Sequence, residues 1–479
     1  MVSERRLRIG LFGVGLAAYW AQFPGLEERL SGYVGRVAER LGGPRREVVN
    51  FGLVDSPERA FAVGHAARRE DVDLLVLYVT TYALSSTVLP VVRRARVPVL
   101  VLNLVPEPAL DYARFNAMGD RAAMTGEWLA YCSACPLPEI ANVFTRAGIP
   151  FHQVTGVLED DPECWNEIDA WLGAAEVVHT LSHTRLGLMG HYYSGMLDVA
   201  TDLTAVSATF GAHLEMLEVD ELAALCREVK DEELDARLRE FAHEFEVQPD
   251  CPREELARAA RTSVALDRLA ARHALGALAY FYSGSAGSEN EDAITSIILG
   301  TSLLTRRGIS TAGEYEVKNV LAMKIMDTLG AGGSFTEYYA MDFRDDVVLM
   351  GHDGPGHPGI AEGNVKVKPL KVYHGKVGRG LSVEMRVKNG PVTLLSVVEA
   401  PRSAKGFKLL VAQGETVPGA ILEIGNTNSR FRFSIGARGF VNRWNEQGPA
   451  HHCAVGVGHI APTLEKVAKL LELDFVQVC

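Results

Sequence analysis

The chain has 479 residues, a net charge of -12, 47% hydrophobic and 23% charged residues. One hydrophobic core stops growing at roughly 250 to 300 residues, so this length predicts two or three domains. The acidic excess argues against a nucleic-acid backbone as partner, and no run approaches the ~18 apolar residues of a membrane span. The amino terminus enters a strand-like run directly, without the apolar stretch and cleavage site of a secretory leader, which predicts a cytoplasmic protein.

From the amino terminus, apolar runs at 7–12, 48–54, 73–79 and 97–105 alternate with amphipathic segments, among them a helical pattern over 24–41. Strands alternating with helices predict parallel βαβ units, hence a doubly wound domain over 1–175. After the acidic, Trp-containing segment 160–172, a second α/β unit over 176–330 is predicted from strands at 186–190 and 213–219. Its helices are expected over 196–210 and, with few breakers, over 232–271. From 331 to 479 the pattern becomes alternation, with strands expected at 365–368, 381–387, 392–398, 407–411 and 431–435. Short strands between Gly, Pro and Asn turns predict an antiparallel β-barrel or sandwich, closed by a helix over 461–473.

The seven cysteines are odd in number and scattered. Cys132 and Cys135 form a C-x-x-C with no second pair to complete a zinc site, so reduced structural thiols are expected. Gly13-Val14-Gly15-Leu16-Ala17-Ala18 after the first strand matches the G-x-G-x-x-A phosphate turn. Bulky Tyr19, Trp20 and Phe23 follow where a helix should begin, and Asp55 is 40 positions past Gly15 rather than ~20. The segment reads better as a strand-end turn that presents Tyr19 or Trp20 to a ligand.

The chemistry concentrates between Gly313 and His452. Glu314 ends Thr-Ala-Gly-Glu, Glu337 lies in Gly-Gly-Ser-Phe-Thr-Glu-Tyr-Tyr, His352 in Met-Gly-His, and His451-His452 in Gly-Pro-Ala-His-His. Two carboxylates with imidazole suit a borderline-hard divalent cation such as Mn²⁺. Each residue also has an ordinary explanation. Glu314 precedes a helical run and can serve the helix dipole. His352 lies in a Gly- and Pro-rich loop where His357 rivals it, and at most one ring of the doublet is expected to reach a common ion. Glu337 is different: flanked by aromatics, a half-buried carboxylate needs a partner.

Taken in order, these four segments resemble the L-arabinose isomerase family, relatives of L-fucose isomerase, over most of the chain and most strongly after residue 300. The resemblance implies Mn²⁺ bound by Glu314, Glu337, His352 and His452, with Tyr339 lining the sugar site. It implies two Rossmann-like α/β domains followed by a C-terminal β-barrel, in hexamers built from trimers. The expected reaction is aldose–ketose isomerisation through an enediolate, with Glu314 and Glu337 as acid and base. One departure stands out: 101–106 lacks the His/Gln residues that typical members extend toward a neighbouring subunit's sugar. Two other readings remain, an NAD(P)-dependent sugar oxidoreductase using Gly13 to Ala18 and a non-catalytic sugar-binding protein.

Overall fold

The computed structural model describes residues 6–371 and 378–479. The chain divides into two compact units, Val2–Ala175 and Glu176–Cys479. In the first, strands β1 (Leu7–Val14), β2 (Arg46–Val54), β3 (Leu74–Tyr78), β4 (Val99–Val105) and β5 (Phe151–Val157) form one parallel sheet in the order β2-β1-β3-β4-β5. Every residue of β3 is buried, as a central strand covered on both faces requires.

In the turn Gly13 to Ala18, which matches the phosphate motif but was expected to be a strand-end turn, Gly15 is packed against an aromatic ring. A Cβ on Gly15 would lie 2.6 Å from the Trp20 ring, which fills the space above the turn. The Trp20 indole N–H donates to Asp55 Oδ2 at 2.7 Å, and the long helix begins only at Leu26. A four-residue helix, Ala17–Trp20, follows the turn with Leu16 at its cap, and the Trp20 ring of that helix lies against Gly15, where a pyrophosphate would approach in the Rossmann manner.

In the second unit, β6 (Arg185–Gly190), β7 (His213–Leu217), the short β8 (Glu246–Val247), β9 (Ala277–Phe281) and β10 (Ser310–Ala312) come first. Four of them form a parallel sheet ordered β10-β9-β6-β7. The helix expected over 196–210 covers only Leu203–Phe210, because Asp202 caps it by accepting from the Thr204 and Ala205 amides. The stretch expected to be helical over 232–271 is two helices, Asp231–Glu244 and Arg253–Arg272, separated by β8 and Pro252.

The C-terminal strands are β11 (Gly332–Asp342), β12 (Val347–His352), β13 (Lys366–Pro369), β14 (Leu381–Glu384), β15 (Gly390–Glu399), β16 (Phe407–Thr416), β17 (Thr427–Phe433), β18 (His452–Val457) and β19 (Asp474–Gln477). Six of them close a barrel, β15-β18-β11-β12-β17-β16, sealed by antiparallel pairing of β16 with β15. Closure leaves no exposed edge. Two alternating segments expected in the barrel, β13 and β14, instead form a separate small sheet with β8. The closing helix runs Ala461–Leu470, and β19 then adds parallel to β16. One apolar core joins helices of the parallel sheet to barrel residues, from Leu266 and Ile298 to Val348 and Phe431. Among the described residues no helix is long and apolar enough to cross a membrane.

Candidate active site

Barrel register brings the widely spaced side chains together. On β11, Glu337 lies opposite Gly351 of β12 and His452 of β18, so Glu337, His352 and His452 stand at one end of three adjacent strands. Gly351 allows this pairing, since a Cβ there would lie 1.7 Å from the Thr427 carbonyl oxygen on β17. Two residues before Glu337, and on the same face of the strand, Phe335 is fully buried. Its ring packs against those of His352 and His452 at centroid distances of 4.1 and 4.4 Å. It forms an apolar floor.

The fourth side chain comes from the parallel sheet. Glu314 follows β10 in a turn where Glu314 and Tyr315 are both left-handed, with φ of 58° and 60°. The Tyr315 amide donates to the Tyr280 carbonyl at 3.0 Å, and the Glu316 amide to the Gly313 carbonyl at 3.0 Å. These bonds hold a conformation that bulky residues rarely adopt. Glu314 Oε2 lies 3.3 Å from His452 Nε2 and 3.6 Å from His451 Nε2, and Oε1 lies 4.0 Å from His352 Nε2. His451 Nε2 is also 4.0 Å from Glu337 Oε2.

This donor set fits a divalent cation. Glu314, His352 and His452 offer ligand atoms within 4.8 Å of one another, and so do Glu337, His451 and His452. Among the described residues, Glu314 Oε2 and both ring nitrogens of His452 are buried without a hydrogen-bond partner, which is costly unless a further group satisfies them. His352 Nδ1 accepts from the Gly354 amide at 2.8 Å, so the neutral ring carries its proton on Nε2. Before His352 can act as a ligand through Nε2, that proton has to move to Nδ1 and the Gly354 contact has to open. His452 needs no such change.

Electrostatics separate the acids. Burial pushes Glu314 up, but His451, His352 and His452 outweigh it and bring the carboxyl down to about 2. Burial raises Glu337 to about 7; His451 opposes the rise, while Glu314 and Asp353 add to it. Burial, assisted by neighbouring imidazoles, lowers His352 to about 4 and His452 to about 3, so both are neutral near pH 7. Neutral imidazole is the form that binds metal. His451 behaves oppositely: burial disfavours its charge, yet Glu314 and Asp198 lift it to about 9.

The remaining expected residues are placed as follows. His357 is buried, donates its amide to Ser334 Oγ and accepts from the Gly359 amide at its own Nδ1, so it caps a short 3₁₀ turn, and it joins neither acid–histidine cluster. The Tyr339 hydroxyl accepts from Asn426 Nδ2 at 3.4 Å, and burial together with Asp353 raises its pKa. Tyr19 and Trp20 belong to the unit Val2–Ala175, where Tyr19 packs edge-on against Phe23. Cys132 and Cys135 are free thiols, as are the other five cysteines.

Sequence reasoning overlooked Asp198, Glu316 and Phe335. Glu316 is fully buried, its Oε2 lies 3.6 Å from His452 Nδ1, and burial, opposed by Lys318, raises it to about 8. Phe335 and Glu316 each stand two positions from a candidate ligand, a spacing that could have drawn attention to them. Asp198 has no such signal.

The family described as L-arabinose isomerase C-terminal domain matches residues 332–474. That span includes Glu337, His352, His451 and His452 but not Glu314. The chain is 23% identical over 464 residues to an L-arabinose isomerase of Vibrio parahaemolyticus, covering 90% of this chain and 86% of that protein. An L-arabinose isomerase of a Nocardioides species is 25% identical over 357 residues, covering 71% and 68%. A sulfoquinovose isomerase of Alkalicoccus urumqiensis is 22% identical over 311 residues, covering 63% and 67%.

Proposed function

Because this chain belongs to the L-arabinose isomerase family as a divergent member, and is thereby a sugar aldose–ketose isomerase, we propose that it acts on a pentose or hexose at the acid–histidine cluster. The observation that carries this reading is a pair of acid–histidine groups that share His452, one with Glu314 and His352 and the other with Glu337 and His451, drawn from the β10 turn and the barrel strands.

We assign these four residues as the ligands of a divalent cation. Mn²⁺ is the expected ion, because carboxylates and imidazoles without a thiolate favour it. The ion would supply Lewis-acid polarisation of the neighbouring C1 and C2 oxygens. The protein's part is proton transfer: one of Glu314 and Glu337 removes the proton from carbon and returns it to the adjacent carbon through an enediolate, while the other serves the oxygens. Unlike surroundings fit the two carboxylates for unlike roles. Phe335 keeps water from the floor of the site, and Tyr339 lines the sugar. Tyr19 and Trp20 are proposed sugar contacts. Cytoplasmic location and a homo-oligomer, by resemblance a hexamer, complete the reading.

The deciding experiment incubates the Mn²⁺-loaded protein with L- and D-pentoses, hexoses and deoxy sugars and assays ketose formation. Turnover of at least one is expected; no ketose from any, at full metal loading, refutes the reading. Glu314→Gln and Glu337→Gln should each lower turnover by about 10²- to 10⁴-fold with unchanged circular dichroism. Near-normal turnover of either variant removes that glutamate from the mechanism. Isomerisation in tritiated water should label C1 or C2 of recovered sugar, whereas label-free turnover indicates hydride transfer.

A further inference from the structure

His451 lies between the two glutamates, and its orientation is set from the parallel sheet. Asp198 stands in the loop after β6, and Glu314 in the turn after β10, both at carboxyl ends of strands in the same sheet, where α/β folds gather their ligand-binding groups. A single oxygen, Asp198 Oδ2, accepts from the His451 backbone amide at 2.9 Å and from its ring Nδ1 at 2.6 Å. A carboxylate only accepts, so Nδ1 carries a proton and Nε2 is directed at Glu314 Oε2 and Glu337 Oε2.

The loop is itself anchored. Buried Lys318 donates to the Asp198 carbonyl at 2.8 Å and the Ala200 carbonyl at 3.0 Å. Tyr192, from the same loop, packs edge-on against Tyr315 at 4.8 Å. The segment that strains Glu314 into place is therefore fastened to the segment that carries Asp198.

We propose that Asp198 is a positioning residue of the isomerase site: it fixes the ring plane and tautomer of His451 so that Nε2 is presented to the substrate between Glu314 and Glu337. The proposal rests on the isomerase reading for its catalytic consequence, but not for its structural part. Asp198 is half exposed, and Lys318 binds its backbone carbonyl, so replacing the side chain leaves the anchor intact.

The experiment compares the parent with Asp198→Ala, Asp198→Asn and Asp198→Glu. In Asp198→Ala, kcat should fall about 10- to 100-fold, as the loss of an orienting partner does, with KM for the sugar and calorimetric Mn²⁺ affinity changed less than about threefold. Asp198→Glu should recover part of kcat, and Asp198→Asn less of it. An unchanged kcat, or a loss of Mn²⁺ affinity as large as the loss of kcat, overturns the proposal. Long-range ¹H–¹⁵N NMR of ¹⁵N-histidine-labelled, metal-free protein, assigned with His451→Gln, gives a readout that needs no turnover. Recorded at a pH above the raised pKa of about 9, where the ring is neutral and has one N–H, His451 should show a protonated Nδ1 in the parent and lose that signature in Asp198→Ala. An Nδ1 proton that persists overturns the proposal even if no sugar is isomerised, whereas a parent inactive on every sugar but with the expected tautomer refutes only the isomerase reading.

Discussion

Glu314 and Tyr315 are consecutive left-handed residues, neither of them glycine, and each costs of order 1–3 kcal/mol. That cost is accepted where it turns the Glu314 carboxylate toward His452. Phe335 carries the opposite balance. Its fully buried ring contacts both His352 and His452, so Phe335→Ala should lose about 3–5 kcal/mol in urea unfolding, and Phe335→Leu distinctly less. A loss below about 1 kcal/mol would mean that the ring does not form the floor. Glu337 was readable as a site residue because aromatic neighbours on a strand oblige a carboxylate to find a partner. The doublet was not resolved in the same way: both rings reach Glu314, and the contacts of His451 with Asp198 and of His452 with Phe335 and Glu316 distinguish them.

Among elements, β12 shows how closely geometry is constrained. It pairs with β11 on one side and β17 on the other, and Gly351 lies against the β17 backbone with no room for a methyl group. Gly351→Ala should therefore cost about 3 kcal/mol or more and weaken Mn²⁺ binding by displacing His352, measurable by thermal unfolding with and without the ion. Unchanged stability would contradict the register. The helix Asp231–Glu244 offers a test by pH. Its first turn is held by the Glu233 carboxylate, which accepts from the Lys230 amide at 3.0 Å and pairs with Arg268, and both lower its pKa. A depressed carboxylate stabilises above its unfolded value and loses that contribution as the pH falls through its folded value. Glu233→Gln should thus be less stable than the parent near neutrality, with the gap closing in acid; a gap that widens in acid would reverse the sign. Local pattern located most strands but did not say which sheet they join: β13 and β14 alternate like barrel strands yet pair with each other, and β13 pairs on its other side with β8, a partner more than 100 residues earlier.

For the whole molecule, the unit Glu176–Cys479 contains all four candidate ligands together with Asp198. A fragment spanning 176–479 should fold cooperatively by circular dichroism and gain thermal stability with Mn²⁺; a fragment that unfolds non-cooperatively would show that it depends on the first unit. Sedimentation of the intact protein checks the expected oligomer. Periodicity and turn signals were sufficient to determine α/β units followed by a β-barrel or sandwich, because hydrophobic period and turn chemistry are local properties, whereas the barrel and the sugar-isomerase reading came from the resemblance of four short motifs to a known family. The segment Gly13 to Ala18 was readable as a strand-end turn from its bulky followers, but that the Trp20 ring packs over Gly15 is visible only in the folded chain. The tertiary structure alone decided that Asp198 meets His451 across 253 positions and that one core joins the parallel sheet to the barrel. Such contacts arise from sheet order and strand register, which depend on the whole buried surface at once and leave no mark in any short stretch of chain.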